Sequence, residues 1–254
     1  MKIDFTEKIV LVTGGSRGIG AAIAEKFAEA GAIVIISFNN DKKAAKNVLS
    51  YLEGEGHNAV KCDISDPILS EEMIERIVDE YGRIDILVNN AGIYEERSFQ
   101  ESDYSYWLET WERTIGLNLL GAANISFLAG KYMVQSGGGK IINITSRGAF
   151  RGEPDAPAYG ASKAALNSFS QSMAKALAPY NVQIYAVAPG FVETDMTGEI
   201  LDGPRGDEIR AQSPMNRVAK PEEVANAVIM LAASGNEFMT GAIIDVNGAS
   251  YLRS

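Results

Sequence analysis

Residues 8–20 read Lys8-Ile9-Val10-Leu11-Val12-Thr13-Gly14-Gly15-Ser16-Arg17-Gly18-Ile19-Gly20. Ile9 to Val12 is an unbroken run of branched and aliphatic residues, with no polar alternation. Such a run is a strand buried on both faces, as in a parallel sheet. The glycines follow at once, and the chain beyond them has the periodicity of a helix over 18–30. A glycine turn between strand and helix lets the backbone approach a pyrophosphate without interference from Cβ atoms. The helix then offers free N–H groups and the positive end of its dipole to the phosphates. A tight strand–helix turn with no ligand would also use glycines. The position, at the first strand–helix junction, is the one a nucleotide site requires.

Outward from this turn the same alternation repeats. Further strands are predicted at 32–37, 58–62, 84–89, 140–145, 182–188 and 242–246. Helices are predicted at 42–55, 70–81, 104–135, 158–178 and 221–233. In the second helix Ala45, Val48, Leu49 and Leu52 form one apolar stripe, and the last helix has Pro221 in its first turn. Gly137-Gly138-Gly139 marks the stop between a helix and a strand. Buried strands separated by helices imply a parallel sheet covered on both faces. Right-handed crossovers make it doubly wound. The expected fold is therefore α/β: a single Rossmann-type domain over 1–254, with about seven parallel strands and helices on both faces. The least regular stretch, 190–216, is expected to be an irregular substrate lid.

Composition bounds the function. Of 254 residues, 46% are apolar and 22% charged, with 23 basic against 33 acidic side chains and a net charge of −10. This excludes a basic footprint for nucleic acid and disfavours an anionic membrane surface. No apolar run reaches the length of a membrane-spanning helix. Met1-Lys2-Ile3-Asp4-Phe5-Thr6-Glu7-Lys8 is charged where a signal peptide is apolar. One cysteine, Cys62, excludes an internal disulfide, and one histidine, His57, leaves little for a metal site or a serine–histidine triad. A cytoplasmic enzyme without a metal is expected.

Tyr159-Gly160-Ala161-Ser162-Lys163 places a phenol and an ammonium four residues apart on a predicted helix, on one face and one turn apart. Reduction of a ketone by hydride leaves an alkoxide that needs a proton. A free tyrosine holds its proton to about pH 10. An adjacent ammonium favours the phenolate and is expected to lower that value, so one phenol serves as acid in reduction and base in oxidation.

The glycine spacing, Gly14-x-x-x-Gly18-x-Gly20, resembles that of the short-chain dehydrogenase/reductase family. Asn89-Asn90-Ala91-Gly92 after the fourth strand resembles a further motif of that family. Asn118, Ser146, Tyr159 and Lys163 match its catalytic tetrad in order, with 28 residues from Asn118 to Ser146 and 13 from Ser146 to Tyr159. Pro189-Gly190 with Thr194 matches the motif after the sixth strand. The resemblance covers essentially the whole chain. It implies that Ser146 hydrogen-bonds the substrate carbonyl and the developing oxyanion. It implies that Lys163 holds the nicotinamide ribose. It also implies that Asn118 bends its helix and holds a water connecting Lys163 to solvent.

The implied cofactor is NADP(H) rather than NAD(H). An acid at the end of the second strand would accept bonds from a free ribose 2′-hydroxyl and repel a 2′-phosphate. Here that strand ends Ser37-Phe38-Asn39-Asn40, with no acid before Asp41, and Phe38 falls where the NAD-type aspartate would be. Arg17 is positioned to pair the 2′-phosphate, with Asn39 as a further contact. Gly14, Ser16, Gly18, Ile19 and Gly20 would cradle the pyrophosphate side. Asp63 and Ile64 look like the adenine-contacting pair, and Asn90, Ala91 and Gly92 flank the adenosine ribose. Pro189, Gly190, Val192 and Thr194 would hold the nicotinamide end with Tyr159 and Lys163.

Among family members the chain looks most like 3-oxoacyl-acyl-carrier-protein reductases and related sugar, polyol and small-ketone dehydrogenases. Two arginines that face the acidic carrier in those reductases fall at Gly137 and Tyr180 here, which argues against carrier docking. The interval from Gly92 to Asn118 is longer, with Tyr94, Glu95, Glu96, Arg97, Phe99, Tyr104, Tyr106, Trp107 and Trp111. It reads either as part of the pocket mouth or as an amphipathic helix burying Trp107 and Trp111. Arg147 and Arg151 read as a site for a substrate carboxylate or phosphate, or, more simply, as solvated surface charges. The family's usual tetramer pairs through the helices carrying Asn118 and Tyr159 and through a C-terminal region that Gly241–Gly248 resembles, so a homotetramer acting on a small-molecule carbonyl or alcohol is expected. Two other functions remain open on this scaffold: a cofactor-sensing binding protein without turnover, and an epimerase or dehydratase.

Overall fold

A computed structural model describes residues 3–253; Met1 and Lys2 of the charged N-terminal stretch lie outside the described residues. The order begins β1 (Ile9–Val12), α1 (Gly18–Glu29), β2 (Ile33–Phe38), α2 (Lys42–Tyr51), β3 (Asn58–Lys61), α3 (Pro67–Tyr81) and β4 (Ile86–Asn89). It continues α4 (Tyr104–Ile115), a π-helical turn Gly116–Gly121, α5 (Ala122–Gln135), β5 (Gly139–Ile144), α6 (Gly148–Arg151), α7 (Pro157–Leu177) and β6 (Val182–Pro189). The last elements are α8 (Asp195–Asp202), α9 (Gly206–Ala211), α10 (Pro221–Ala232) and β7 (Ile243–Val246).

The strands form one parallel sheet in the order β3-β2-β1-β4-β5-β6-β7. The doubly wound prediction is thus met. The pleat sends Val10 and Val12 to one face, where they pack with Ile23 and Phe27 of α1 and Val224 and Val228 of α10. Ile9 and Leu11 face the other side, with Ile74 and Ile77 of α3 and Ile125 and Met133 of α5. Burial on both faces is why these strands lack alternation. Winding reverses between β1 and β4, and the crevice at their carboxyl ends is where such sheets bind ligands.

Local chemistry sets the element ends. Helix α3 starts at Pro67, ahead of the predicted residue 70, because Asp66 accepts the Ile68 and Leu69 N–H groups at 2.8 and 3.2 Å and Pro67 suits the first helical position. His57, the sole histidine, accepts the Val34 N–H at Nδ1 (3.0 Å), leaving Nε2 to donate to the Glu53 carbonyl at 2.8 Å. It therefore ties β2 to the turn between α2 and β3.

Two predicted elements are corrected. The helix expected over 104–135 is broken by the π turn at Gly116–Gly121, with Asn118 inside it. The segment 190–216 is not irregular: it contains α8 and α9. Thr194 and Thr197 cap α8 reciprocally, with the Thr194 N–H donating to Thr197 Oγ1 at 3.1 Å. Leu201 and Ile209 are buried beneath these helices. No helix among the described residues is long and apolar enough to cross a membrane.

Candidate active site

A cavity of about 700 Å³ opens over the carboxyl ends of β1, β4, β5 and β6. The glycine turn forms one wall. Gly14 has φ +62°, and a Cβ there would come within 2.9 Å of Ala91 Cα. A Cβ on Gly20 would lie 2.4 Å from the Gly14 carbonyl and 2.5 Å from Asn90 Nδ2. Asn90 explains that closeness: its Nδ2 donates to the carbonyls of Thr13 (3.0 Å) and Gly14 (3.1 Å). Thr13 Oγ1 accepts the N–H groups of Asn90 and Ala91 at 3.0 and 3.1 Å. The β1 and β4 ends are thereby bolted together under the turn. Helix α1 begins with no side-chain cap and no acid in its first turn, and its first residues Gly18, Ile19 and Gly20 line the cavity. This is a cradle for phosphate groups, and a dinucleotide fits the residues present.

The second wall carries the tetrad. Ser146, just beyond β5, is buried, and its Oγ accepts the Gly148 N–H at 3.0 Å. Tyr159 and Lys163 stand on one face of α7, with Lys163 Nζ 5.8 Å from the Tyr159 ring centroid. Nζ donates to the Ile144 carbonyl at 2.8 Å. Burial holds the Lys163 ammonium down to about 8. Burial likewise pushes the Tyr159 phenol above its ordinary value, opposed by a hydrogen bond with Ser146 and reinforced by the Glu153 carboxylate. The expectation that Lys163 lowers this phenol is not met in the chain alone. Both side chains are desolvated, and the ammonium is turned to a backbone carbonyl.

Every residue predicted to bind cofactor lines this cavity: Gly14, Ser16, Arg17, Gly18, Ile19 and Gly20; Asn39, Asp63, Ile64, Asn90, Ala91 and Gly92; Tyr159, Lys163, Pro189, Gly190, Val192 and Thr194. Arg17 is exposed, and no hydrogen bond or ion pair engages its side chain among the described residues. Phe38 is buried at the end of β2. Asn39 Nδ2 donates to Asp63 Oδ2 at 3.0 Å, and Asp63 is held below the usual carboxylate range by hydrogen bonds from Ser65 and Asn39.

Asn118 does not reach the cavity wall. It stands one layer behind, accepting the Ile93 N–H at 2.9 Å and donating to the Ile93 carbonyl at 3.0 Å and Ser162 Oγ at 3.2 Å. It thus supports the loop after β4 that lines the cavity. π turns commonly occur at functional sites, and here the turn is what brings the amide to Ile93.

Arg147 departs most from expectation. It is buried rather than a solvated surface charge, and it meets no carboxylate within hydrogen-bond range. Its guanidinium donates to Ser250 Oγ and Gln212 Oε1 and lies 5.1 Å from the Phe191 ring centroid. Desolvation lowers its pKa to about 10. Arg151 also reaches Gln212 Oε1, at 3.3 Å. The two arginines tie the end of α9 to the loop after Ser146.

Of the aromatic stretch, Tyr94 alone enters the cavity, with its ring edge-on to Tyr159 at 4.9 Å and its hydroxyl donating to Glu96 at 2.6 Å. Glu96 pairs with Arg205, in the turn between α8 and α9, at 3.3 Å. Trp107 and Trp111 pack against each other at 5.5 Å and are half-buried. Phe191 and Met196, within the segment expected to be the lid, also line this cavity, as does Glu153, which no sequence pattern singles out.

Comparison with known proteins agrees with this architecture. A family described as enoyl-(acyl carrier protein) reductase matches residues 14–249. The chain is 38% identical over 255 residues to the 3-oxoacyl-acyl-carrier-protein reductase of Aquifex aeolicus, covering 99% of this chain and 100% of that protein. It is 37% identical to a 3alpha-hydroxysteroid dehydrogenase of Mediterraneibacter gnavus, covering 96% of each. Among solved structures, a short chain dehydrogenase from Burkholderia cenocepacia in complex with NADP superimposes with a TM-score of 0.88 at 30% identity, covering 97% of this chain and 98% of that one. A dehydrogenase/reductase from Sinorhizobium meliloti gives 0.91 at 31% identity, covering 98% and 97%.

Proposed function

This chain belongs to the short-chain dehydrogenase/reductase family, an oxidoreductase of carbonyl and hydroxyl groups that uses a nicotinamide dinucleotide, and we propose that it is an NADPH-preferring carbonyl reductase with Tyr159 as its proton donor. When bound, the reduced nicotinamide supplies a hydride to the carbonyl carbon. Ser146 donates a hydrogen bond to the carbonyl oxygen and to the alkoxide forming there. Tyr159 transfers its phenolic proton to that oxygen, completing the alcohol, and regains a proton from solvent. In oxidation the same phenolate accepts the alcohol proton. The Lys163 ammonium would offset the phenolate charge and hold the nicotinamide ribose of the bound cofactor. Asn118 acts through the Ile93 backbone, keeping the cavity floor in place.

The observation that carries this reading is the convergence of Ser146, Tyr159 and Lys163 on the cavity whose far wall is the glycine turn and the open N-terminus of α1. The preference for NADPH is supported by the exposed Arg17 on that wall and by apolar Phe38 where an acid would repel a 2′-phosphate. The segment 190–216 is read as the lid over the bound substrate, tethered by the Arg205–Glu96 pair and Ser213 Oγ, which donates to the Gly248 carbonyl at 2.6 Å. A cytoplasmic homotetramer acting on a small-molecule substrate completes the reading. The tetramer is supported by Leu120 in the Asn118 turn and Phe127 in α5, both exposed, and by Phe238 and Leu252 exposed near β7. The test is nicotinamide absorbance against a panel of ketones with each cofactor. Faster turnover with NADPH is expected; equal or faster turnover with NADH contradicts the assignment.

A further inference from the structure

The cavity holds an acidic side chain that the hydride chemistry leaves unused. Four acids line it: Asp41, Asp63, Glu153 and Asp195. Asp41 caps α2 by accepting the Ala44 N–H at 2.8 Å, Asp63 accepts from Ser65 and Asn39, and Asp195 is exposed in the first turn of α8. Glu153 is different. It lies at the Tyr159 end, where its charge acts on the phenols of Tyr159 and Tyr94 and on the Arg147 guanidinium. Its side chain is 13% exposed. Its Oε1 is laid against Gly148, where a Cβ would come within 2.7 Å.

Among the described residues no donor hydrogen-bonds this carboxylate. Arg151 Nε forms an ion pair with it at 3.7 Å, too long for a hydrogen bond. Other groups nearby are already committed: Arg147 to Ser250 and Gln212, the Tyr94 hydroxyl to Glu96. A largely desolvated acceptor without a protein donor is costly, and burial pushes the Glu153 pKa up against the opposing charges of Arg151 and Arg147. The missing donor has room to arrive from the cavity.

We propose that Glu153 is a specificity-determining residue that accepts a hydrogen bond from a hydroxyl borne beside the reacting carbon, so that the substrate is a hydroxy ketone or polyol rather than a bare ketone or a long acyl chain. An unsubstituted chain would leave the carboxylate without a donor, the situation that makes polar sites reject analogues lacking a hydroxyl. The proposal rests on the reading of this cavity as the hydride-transfer site.

The test compares kcat/KM for acetoin and butanone with NADPH. The wild-type chain is expected to prefer acetoin by about tenfold or more. Glu153→Leu is expected to lower that preference at least about tenfold, and Glu153→Gln, which keeps an acceptor oxygen without its charge, to fall between. Wild-type indifference, or an unchanged ratio in both variants, overturns the proposal. A second readout needs no turnover: binding of propylene glycol and isopropanol to the Tyr159→Phe variant saturated with NADP. The diol is expected to bind more tightly, and addition of Glu153→Leu to abolish the difference. Tighter binding of the matching amino alcohol than of the diol overturns the assignment of a neutral hydroxyl donor. If Tyr159 is not the proton donor, the Tyr159→Phe variant keeps its rate while the diol preference persists. If Glu153 does not select, the preference is missing whatever that rate.

Discussion

Asn118 and Ile93 hold each other through both backbone polar groups of Ile93: Oδ1 accepts the N–H at 2.9 Å and Nδ2 donates to the carbonyl at 3.0 Å. Gly92 packs directly against this pair, and a Cβ there would lie 3.1 Å from Asn118 Oδ1 and 3.5 Å from Lys163 Nζ. Replacing Asn118 by Ala leaves the Ile93 groups without their partner. A stability loss of about 1–3 kcal/mol is expected in denaturant melts, with reduced turnover because the cavity floor is loosened. An unaltered midpoint and rate would show that the amide is dispensable.

The 2′-phosphate assignment turns on Arg17. Arg17→Ala is expected to weaken NADPH binding roughly tenfold to a hundredfold, the worth of charge-assisted hydrogen bonds, and to change NADH binding little. Fluorescence titration with both cofactors checks this. Equal losses would place the guanidinium elsewhere.

Gly20 admits no side chain. In Gly20→Ala the new methyl meets the Gly14 carbonyl and Asn90 Nδ2, so the turn must open and its bonds to Asn90 must stretch. Cofactor affinity and thermal stability are both expected to fall. Retention of wild-type NADPH affinity would contradict the close packing of the turn.

Lys163 carries a pH signature. Its folded value of about 8 lies below the ordinary 10.5, so between these values the unfolded chain binds more protons than the folded one. This group's contribution to stability therefore rises with pH across that window, by roughly 3 kcal/mol in all. The full penalty of the buried ammonium applies below about pH 8. The stability difference between wild type and Lys163→Met, measured by denaturant melts from pH 7 to pH 10, is expected to move in favour of wild type as pH rises. A constant difference would mean that the ammonium is not desolvated.

The parallel sheet was legible because Ile9–Val12, Ile33–Phe38 and Val182–Pro189 are apolar on both faces, a pattern that depends on each strand alone. The cofactor wall was legible because its residues cluster at strand ends. What escaped depends on partners distant in sequence. The bend at Asn118 was expected from the family resemblance alone, because its partner Ile93 lies 25 residues back. The burial of Arg147 needs Gln212 and Ser250, 65 and 103 residues on. Helix α8 did carry a local signal, Thr194 and Thr197 in capping positions, overlooked among the polar residues of its neighbourhood. For Glu153, the lack of a hydrogen-bond donor becomes visible only once Arg147 and Tyr94 are seen to be engaged elsewhere.

Steady-state ketone reduction by Tyr159→Phe, beside an NADPH titration of the same variant, decides whether this phenol is the proton donor. Nearly intact cofactor affinity is expected, with a turnover lower by about a hundredfold or more, the scale of general-acid catalysis. A variant that binds NADPH and reduces ketone at close to the wild-type rate would contradict that role.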